Sequence, residues 1–434
     1  MSIATLSLDL PELTPAATVL RSEIRAWIAQ ERAAGRLTPP SQVGMGWCPE
    51  TTKRIAAKGW IGMTWPVEYG GGGRSALERY VMNEELLAAG VPVRAHWAAD
   101  RQQGPIILKF GSEAQKRRFI PGIIAGELYF CIGLSEPEAG SDLAALKTRA
   151  VRVDGGWRVN GRKIWTSNAH RAHFMVALVR TSQSSALELK VEAGKAPPLQ
   201  GKGWGGAVGP GEKLTDFSLV DSPLPNRSPE GEGLSTGNAR HAGMSQLIID
   251  LASPGITISP IIAMNGEHDF NEVLLEDLFV PDDMLIGVEG NGWFQGSTEL
   301  AYERSGPERW LTSFGLISAL VGALGQDMRP STLEALGGLI AQLLTLRQLS
   351  LSVASMIERG LSPNVEAAVV KDLGTKFEQE SVRVVRDIVS AERLDDPDLR
   401  ALLTNAEISA PSFTIRGGAN EILRGVIAKA IGLR

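Results

Sequence analysis

Cysteine and long apolar runs are both scarce in this sequence of 434 residues, which contains only Cys48 and Cys131. Two cysteines cannot form the disulfide framework of a small secreted protein, so they indicate a reducing compartment. The longest apolar run, around residues 315–324, is too short to cross a bilayer. The first residues do not combine a basic segment with an apolar one, as a signal peptide does. We therefore expect a soluble, cytoplasmic protein without a membrane span.

Neither sign of charge dominates, because 44 basic residues stand against 49 acidic ones and the net charge is −5. This balance excludes the extended basic surface that binds nucleic acid, so no nucleic-acid partner is expected. The five histidines are not spaced with cysteines or carboxylates as metal ligands are, so no metal site is expected. Apolar residues make up 43% of the chain, which is enough for a substantial core.

The periodicity of apolar residues changes twice along the chain. Residues 1–127 show helical spacing broken by proline and glycine, residues 128–294 show strand-like alternation, and residues 295–434 are helical again. Residues 182–240 interrupt the β region with a stretch rich in glycine, proline and serine, which is typical of a flexible excursion between strands. The order predicts an α+β protein of three parts.

Two turn signals lie within residues 149–165. Asp154-Gly155-Gly156 and Asn160-Gly161 each stand between segments of alternating apolar residues. Pairs of this kind are typical of tight β-hairpin turns. The stretch is therefore predicted to form a β-meander with a turn at each site.

Two motifs inside residues 182–240 match functional patterns but lack the structural context. Residues 201–206 read G-x-G-x-x-G, yet a dinucleotide site needs a strand before it, and Pro197-Pro198 stands there. Residues 233–237 read G-x-S-x-G around Ser235, but the Pro-rich residues before them cannot form the buried strand of a nucleophile elbow. We interpret both motifs as loop, which disfavours a serine hydrolase.

Four other segments combine small, aromatic and hydroxyl residues at the ends of predicted elements. They are FCIGLSEPEAGSDLAALKTRA at 130–150, NGRKIWTSNAHRAHFMVALVRT at 160–181, FNEVLLEDLFVPDDMLIGVEGNGW at 270–293 and FTIRGGANEILRGVIAKAIG at 413–432. Singly, each fits an ordinary role, such as a solvated turn, a core tryptophan or a helix start. In the last segment, Asn420 is predicted to be the N-cap, and the two preceding glycines would let backbone approach a ligand.

Together and in this order, the four segments resemble signatures of the acyl-CoA dehydrogenase family. CIGLSEPEAGSD resembles its flavin- and thioester-binding segment, and NGRKIWTSNA resembles the segment whose tryptophan covers the flavin. LLEDLFVPDDMLIG resembles the exit from its β-domain, and GGANEILRGVIAKAIGL resembles its C-terminal signature. The resemblance covers nearly the whole chain except residues 182–240. It implies an N-terminal helical domain, a central β-domain like a barrel or sandwich, and a C-terminal four-helix bundle.

The resemblance also implies FAD as cofactor and an acyl-CoA thioester as substrate. In the family's reaction a carboxylate takes the α-proton and the β-hydride passes to the flavin, which yields the trans-2-enoyl-CoA. Ser141 would contact the thioester ligand. By matched position, the residues implied to contact the cofactor are Leu134, Ser135, Trp165, Thr166, Ser167, Gly418, Asn420 and Glu421.

The acid that this reaction needs is missing from the C-terminal signature. Most of the family has a glutamate at the position of Gly417, and the adjacent Arg416 is a cation that cannot accept a proton. A minority of the family places the acid directly before an arginine on the first helix after the β-domain, where this chain has Glu303 and Arg304. The resemblance then implies Glu303 as base, with Arg304 and Gly417 at the substrate.

The absent side chain at Gly417 would leave room for Glu303 to reach in from another helix. The alternative is that Glu303 is one more acid in a charged surface turn that also contains Glu299, Arg304, Glu308 and Arg309.

Two family strings that reach the flavin of a neighbouring subunit are also missing, at residues 322–339 and 389–405. Without these strings, the sequence does not decide between a homo-oligomer and a hetero-oligomer. Their absence also supports an alternative function, that of a non-catalytic or half-site partner subunit. Electron-transfer flavoprotein or a similar acceptor is expected, although an acyl-CoA oxidase would share the first half-reaction. In the family a helix-borne base accompanies long or branched acyl groups, and relatives in bacterial lipid or sterol breakdown share the IRGGANEILRG wording.

Overall fold

The computed structural model describes residues 8–38, 43–181, 241–296 and 304–433. These residues belong to one compact unit, in which helices from both ends of the chain flank a central sheet. The predicted α+β class is confirmed. The excursion at 182–240, both motifs within it and Glu303 lie outside the described residues. The domain boundaries after residues 127 and 294 stay predictions.

Six α-helices form the N-terminal region, and their starts follow local sequence signals. The side chains of Ser75 and Ser112 each accept a hydrogen bond from the backbone amide three residues later. In turn, the side chains of Glu78 and Gln115 accept from the backbone amides of Ser75 and Ser112. Both helices therefore begin with a capping box. A π-helical turn of five buried residues, Ala99–Gln103, joins α4 to α5. The helices are α1 (Pro15–Ala33), α2 (Pro49–Ala56), α3 (Ala76–Ala88), α4 (Arg94–Ala98), α5 (Gly104–Phe110) and α6 (Glu113–Ile124).

A seven-stranded sheet forms the centre, in the order β1-β4-β2-β3-β7-β6, with β5 paired to β4. β4 and β5 are buried on both faces, and β4 accordingly has an almost continuous apolar sequence, whereas β5 also buries Ser245 and Gln246. The strands are β1 (Phe130–Gly133), β2 (Arg149–Val153), β3 (Gly156–Lys163), β4 (Phe174–Arg180), β5 (Met244–Asp250), β6 (Ile256–Ile261) and β7 (Phe270–Pro281).

One of the two predicted turns of the meander is a turn, and the other is not. Gly155 joins β2 to β3 with a φ of 71°, as a tight turn requires. The prediction of a turn at Asn160-Gly161 was wrong, because β3 continues through it and pairs with β7 on both sides, with a bulge between Val159 and Gly161. The partner strand is distant in sequence, so the local signal could not reveal it.

Within the described residues 304–433 the chain forms five α-helices, of which α8 packs against α3 and α9. Among the described helices, α8 alone is long and apolar enough to cross a membrane by length and composition. Core helices of soluble proteins meet the same criteria, and Leu339, Leu346 and Leu351 of α8 are buried in the core. Polar residues interrupt its apolar run, so the sequence did not single it out. The helices are α7 (Phe314–Ala323), α8 (Pro330–Glu358), α9 (Asn364–Glu392), α10 (Pro397–Ser409) and α11 (Asn420–Ala430).

Candidate active site

The turn after β3 holds an exposed tryptophan in a fixed position. Trp165 has a φ of 59° and 56% of its surface is exposed, with its ring edge-on to Phe270 at 5.9 Å between centroids. The next residue, Thr166, exchanges two backbone hydrogen bonds with Asn271 at 3.0 and 3.1 Å. Asn271 Nδ2 donates a third bond to the Thr166 carbonyl at 3.0 Å. The start of β7 therefore fixes the turn and leaves the indole free to stack on a ligand.

The polar groups beside this tryptophan suit a flat ring that carries hydrogen-bond acceptors. The Thr166 hydroxyl is buried and has no hydrogen-bond partner among the described residues, and the neighbouring Ser167 is exposed. Leu134 and Ser135 are partly buried next to the turn, since the Ser135 carbonyl accepts from the Ile164 amide at 2.9 Å. An unsatisfied hydroxyl next to an exposed indole fits an isoalloxazine ring.

A buried ion pair supports this region from below, and sequence reasoning missed it. Lys163 is fully buried, and its Nζ donates to Glu136 Oε1 at 2.8 Å and to the carbonyls of Leu178 and Leu134. Burial lowers the pKa of Lys163 to about 8, and Glu136 opposes that shift. Burial would raise the pKa of Glu136, but Lys163 and the amides of Lys147 and Thr148 outweigh it and hold the pKa below its usual value. The signal was available, because Lys163 shares the inward face of β3 with Trp157 and Val159.

Ser141 lies on the exposed turn between β1 and β2. Its side chain makes no hydrogen bond within the described parts of the chain, so the structure does not join it to the Trp165 turn. Its role at the thioester stays a prediction.

The space beside Gly417 is filled by a guanidinium. Gly417 has a φ of 66°, and a β-carbon added there would lie 2.7 Å from Nη2 and 2.9 Å from Cζ of Arg309. This room was predicted to receive Glu303, which lies outside the described residues. The side chain that occupies it among the described residues is that of Arg309. Arg304, the first residue described after that gap, is partly buried.

The alternative interpretation placed Glu308 and Arg309 in a charged surface turn. The structure contradicts this part of it, because both residues are buried. Both side chains are buried on the 3-10 turn Pro307–Arg309, at 3% and 5% exposure. Glu308 pairs with Arg101, which belongs to the buried π-helical turn between α4 and α5. π-Helical turns occur frequently at functional sites. A charged network thus connects the N-terminal helices to the Gly417 loop.

Asn420 does not cap the last helix, so this prediction was wrong. Ala419 is the N-cap and makes no side-chain bond, while Asn420 is the first helical residue and is fully buried. Its Oδ1 accepts from Lys371 Nζ at 2.5 Å and from the Thr375 hydroxyl at 3.2 Å. Asn420 therefore has no surface that could touch a ligand here, in contrast to its exposed neighbours Gly418 and Glu421.

Arg416, which directly precedes Gly417, is held by the buried acid Glu378. Arg416 Nη2 lies 2.6 Å from Glu378 Oε2, and the Thr312 amide donates to the other oxygen at 2.9 Å. Burial raises the pKa of Glu378, although Arg416 and Thr312 act against that shift. No group of metal-ligating side chains occurs among the described residues.

Comparisons with known proteins agree with this architecture. Family models of the acyl-CoA dehydrogenase N-terminal, middle and C-terminal domains match residues 14–127, 131–194 and 328–432. Acyl-CoA dehydrogenase FadE29 of Mycobacterium tuberculosis is 30% identical, across 98% of this chain and 98% of that protein. FadE34 of the same organism is 29% identical, and this chain spans 50% of its length.

Solved structures are similar over nearly the whole chain. The Tcur3481-Tcur3483 steroid ACAD is 27% identical with a TM-score of 0.75, covering 98% of this chain and 99% of that one. The ChsE4-ChsE5 complex from Mycobacterium tuberculosis is 26% identical with a TM-score of 0.71, covering 96% and 97%. Butyryl-CoA dehydrogenase from Megasphaera elsdenii, at 19% identity and a TM-score of 0.73, shares the fold.

The chain belongs to the acyl-CoA dehydrogenase family. It is a flavoprotein oxidoreductase that dehydrogenates an acyl-CoA and uses FAD as its cofactor.

Proposed function

We propose that this chain converts an acyl-CoA to its trans-2-enoyl-CoA with Glu303 as the base that removes the α-proton. The observation that carries the assignment is at Gly417, where the family's usual acid is absent and Arg309 fills the side-chain space. The adjacent Arg416 is a cation bound to Glu378. Glu303 stands two residues before Ser305, which is buried and whose carbonyl accepts a bond from Ser350 of α8. The chain at this point is therefore anchored beside the charged network.

A base in this position needs a dry site and fixed neighbours. The α-proton is weakly acidic, so burial beside apolar ligand must keep the pKa of the base high enough to accept it. Arg101, Glu308 and Arg309 are all buried, and the first two form an ion pair, which supplies fixed charged neighbours next to this segment. When bound, FAD supplies the acceptor for the β-hydride.

We propose the exposed Trp165 ring and the hydroxyls of Thr166 and Ser167 as flavin contacts, with Leu134 and Ser135 along the ring. The unsatisfied Thr166 hydroxyl and the fixed exposure of Trp165 support this assignment. Gly418 and Glu421 are proposed as lining residues of the C-terminal loop, and Ser141 and Arg304 as residues at the substrate.

The test is flavin reduction in an anaerobic stopped-flow experiment with a panel of short, branched, long-chain and steroid-bearing acyl-CoAs. Glu303→Gln is expected to bind FAD and ligand but to reduce its flavin at least about 10³-fold more slowly. Glu299→Gln, in the same segment, is the matched control. If Glu303→Gln were nearly normal and Glu308→Gln were inactive, Glu308 would be the base.

For the substrate, we propose a lipid acyl-CoA of the long, branched or steroid class. A similar structure is named as a steroid ACAD, and another relative of known structure is named as a two-component complex. The same panel decides among these classes by the rate of flavin reduction. Transfer of electrons to electron-transfer flavoprotein rather than to oxygen is tested by comparing that acceptor with hydrogen peroxide release in air, which an oxidase would show.

We also propose that the chain assembles through its C-terminal helices with a second chain of the same fold. Leu333, Ile340 and Leu344 form an exposed apolar stripe along α8, and Ile422 and Val426 form one on α11. The two similar structures with paired names support a heteromer. Light scattering of the chain alone distinguishes a homo-oligomer from a monomer that awaits a partner. A chain that stays colourless with added FAD would favour the partner-subunit function. We further propose a cytoplasmic location, which cell fractionation tests.

A further inference from the structure

A single buried lysine holds the loop that carries Gly417. Lys371 lies on α9 and has no exposed surface. Its Nζ donates to the carbonyls of Thr414 at 2.8 Å and Gly418 at 2.5 Å, and to Asn420 Oδ1 at 2.5 Å. An ammonium group has three N–H donors, and here each has an acceptor in the same seven-residue stretch, 414–420. Asn420 is in turn held by Thr375, one turn later on α9.

This loop needs such a restraint because of its sequence. Gly417 and Gly418 have φ values of 66° and 95°, which place both in the left-handed region. Adjacent glycines have many alternative conformations, so the loop would not keep this shape from local preference alone. Its one internal backbone bond in the structure runs from the Asn420 amide to the Thr414 carbonyl at 3.1 Å, between the two ends of the loop.

The electrostatic surroundings of Lys371 are mostly unfavourable to its charge. No carboxylate bonds to its Nζ, because the adjacent Asp372 pairs with Arg424 at 3.0 Å and with Lys376 at 3.4 Å. Burial, together with the nearby cations Arg309, Arg416 and Arg304, lowers the pKa of Lys371 to about 8, and Asp372 acts in the opposite direction. The other acid on this face of α9, Glu378, is bound to Arg416.

We propose that Lys371 is a positioning residue whose ammonium form holds the 414–420 loop in the shape that flavin and acyl-CoA binding require. Loss of one proton leaves two donors for three acceptors, so one contact to the loop is lost. The inference rests on the proposed function only where it assigns the loop to the ligand cavity; the restraint of the loop itself is independent of that assignment.

The direction of the pH effect distinguishes this role from general unfolding. The folded pKa of Lys371 lies below its ordinary value of 10.5, so charging this group costs stability below about pH 8. Between pH 8 and 10.5 that cost disappears, so the contribution of Lys371 to global stability rises with pH. Loop restraint and ligand affinity are expected to fall over the same range. Opposite trends in stability and affinity are not expected of a purely structural lysine.

The experiment combines hydrogen exchange with ligand titration on the full chain between pH 6.5 and 9.5. The variants are Lys371→Met, which removes the donors and keeps an apolar chain of similar length, and Lys376→Met as a control on the exposed side of the same helix. At pH 7, Lys371→Met loses all three bonds to the loop and is expected to weaken FAD and acyl-CoA binding by at least about tenfold. Amide exchange in 414–421 is expected to rise in that variant while exchange in α3 stays unchanged.

Wild-type protein supplies the second measurement if Lys371→Met does not fold. Its ligand affinity is expected to fall above pH 8, and the protection of its loop amides, taken relative to the intrinsic exchange rate at each pH, is expected to fall with it; Lys376→Met should match wild type at every pH. Equal loop protection in wild type and Lys371→Met, or wild-type loop protection that does not change with pH, would overturn the inference. Faster loop exchange with unchanged ligand affinity would overturn the assignment of the loop to the cavity. Failure of the proposed reaction leaves these binding and exchange measurements intact, so the two are distinguishable.

Discussion

The guanidinium of Arg309 lies against the α-carbon of Gly417, so close that a β-carbon at residue 417 would be 2.7 Å from Nη2. The absence of an acid at Gly417 and the charged pair at 308–309 are therefore connected, because Arg309 of that pair packs against Gly417. The position that carries an acid in most of the family is closed to any side chain while Arg309 keeps this place.

Restoring a glutamate at Gly417 is expected not to restore activity. In the double variant Glu303→Gln/Gly417→Glu, the new side chain collides with Arg309 and requires a left-handed backbone, so flavin reduction should stay as slow as in Glu303→Gln. Gly417→Ala alone is expected to lower the free energy of unfolding by about 1–2 kcal/mol from backbone strain, with a further loss from the contact. Gly418→Ala is the control, because no atom lies within 4 Å of its added β-carbon. Rapid flavin reduction in the double variant would contradict the packing argument.

Replacing Trp165 is expected to weaken FAD binding without lowering the thermal stability of the apoprotein. The ring is 56% exposed in the free chain, so Trp165→Ala removes little buried surface, but it removes a stacking partner worth about 1 kcal/mol or more. Fluorescence titration with FAD should show about a tenfold higher Kd, with an unchanged melting temperature for the apoprotein. Phe279→Ala is the control, because Phe279 is also an exposed aromatic residue but is not part of this turn. It lies on β7, nine residues from Phe270, the ring that Trp165 contacts. An equal loss in both variants would argue against stacking.

Breaking the Lys163–Glu136 pair is expected to destabilise the sheet strongly. Removing one partner leaves the other charge buried, so Lys163→Met or Glu136→Gln should each cost about 3–5 kcal/mol in denaturant unfolding. The double variant should cost less than the sum of the two, because it leaves no unpaired charge. Glu138→Gln, which breaks the exposed Lys147–Glu138 pair, should leave stability nearly unchanged.

The pH dependence of the same pair has a definite sign. The pKa of Glu136 is held below its ordinary 4.5, so its contribution is present above that pH and is lost as the pH falls through the folded value. Acid unfolding should therefore be less steep in Glu136→Gln than in wild type. An identical acid limb for both proteins would show that the pKa of Glu136 does not differ between the folded and unfolded states.

The stacked pair His170 and His268 is expected to make the Trp165 turn acid-sensitive. The rings are 3.9 Å apart, and Asn271 joins both of them to the Thr166 carbonyl. Burial, then His268 and Arg171, lower the pKa of His170 below its ordinary 6.5. Its stabilising contribution is thus present above pH 6.5 and is lost as the pH falls through the folded value.

Melting temperatures from pH 7.5 to 5.0 check this prediction. His268→Gln should flatten the acid decline, because it removes the neighbouring imidazole that disfavours protonation of His170. His241→Gln is the control, since His241 stacks on Trp293 away from this turn. If the melting temperature fell equally steeply with pH in wild type and in His268→Gln, the interaction between the two histidines would not be the cause of the acid sensitivity.

Local sequence signals were sufficient where the neighbouring residues decide the structure. The capping boxes at Ser75 and Ser112 and the tight turn at Gly155 follow from residues within four positions of one another. The same local reading failed at Asn160-Gly161, where β7 pairs across the expected turn, and at Asn420, where α9 draws the side chain inward.

The family, the cofactor, the order of helical and β regions and the absence of an acid at Gly417 could all be predicted from residue type and order. The occupant of the space beside Gly417 could not, because it depends on contacts between residues that are distant in the sequence. Arg309, Lys371 and Lys163 are ordinary charged residues in the sequence, and their burial results from partners that are 27 to 108 positions away: Arg309 against Gly417, Lys371 against the 414–420 loop, and Lys163 against Glu136. A buried charge is tolerated only where the fold supplies its acceptors, and no local pattern records which distant residues will do so.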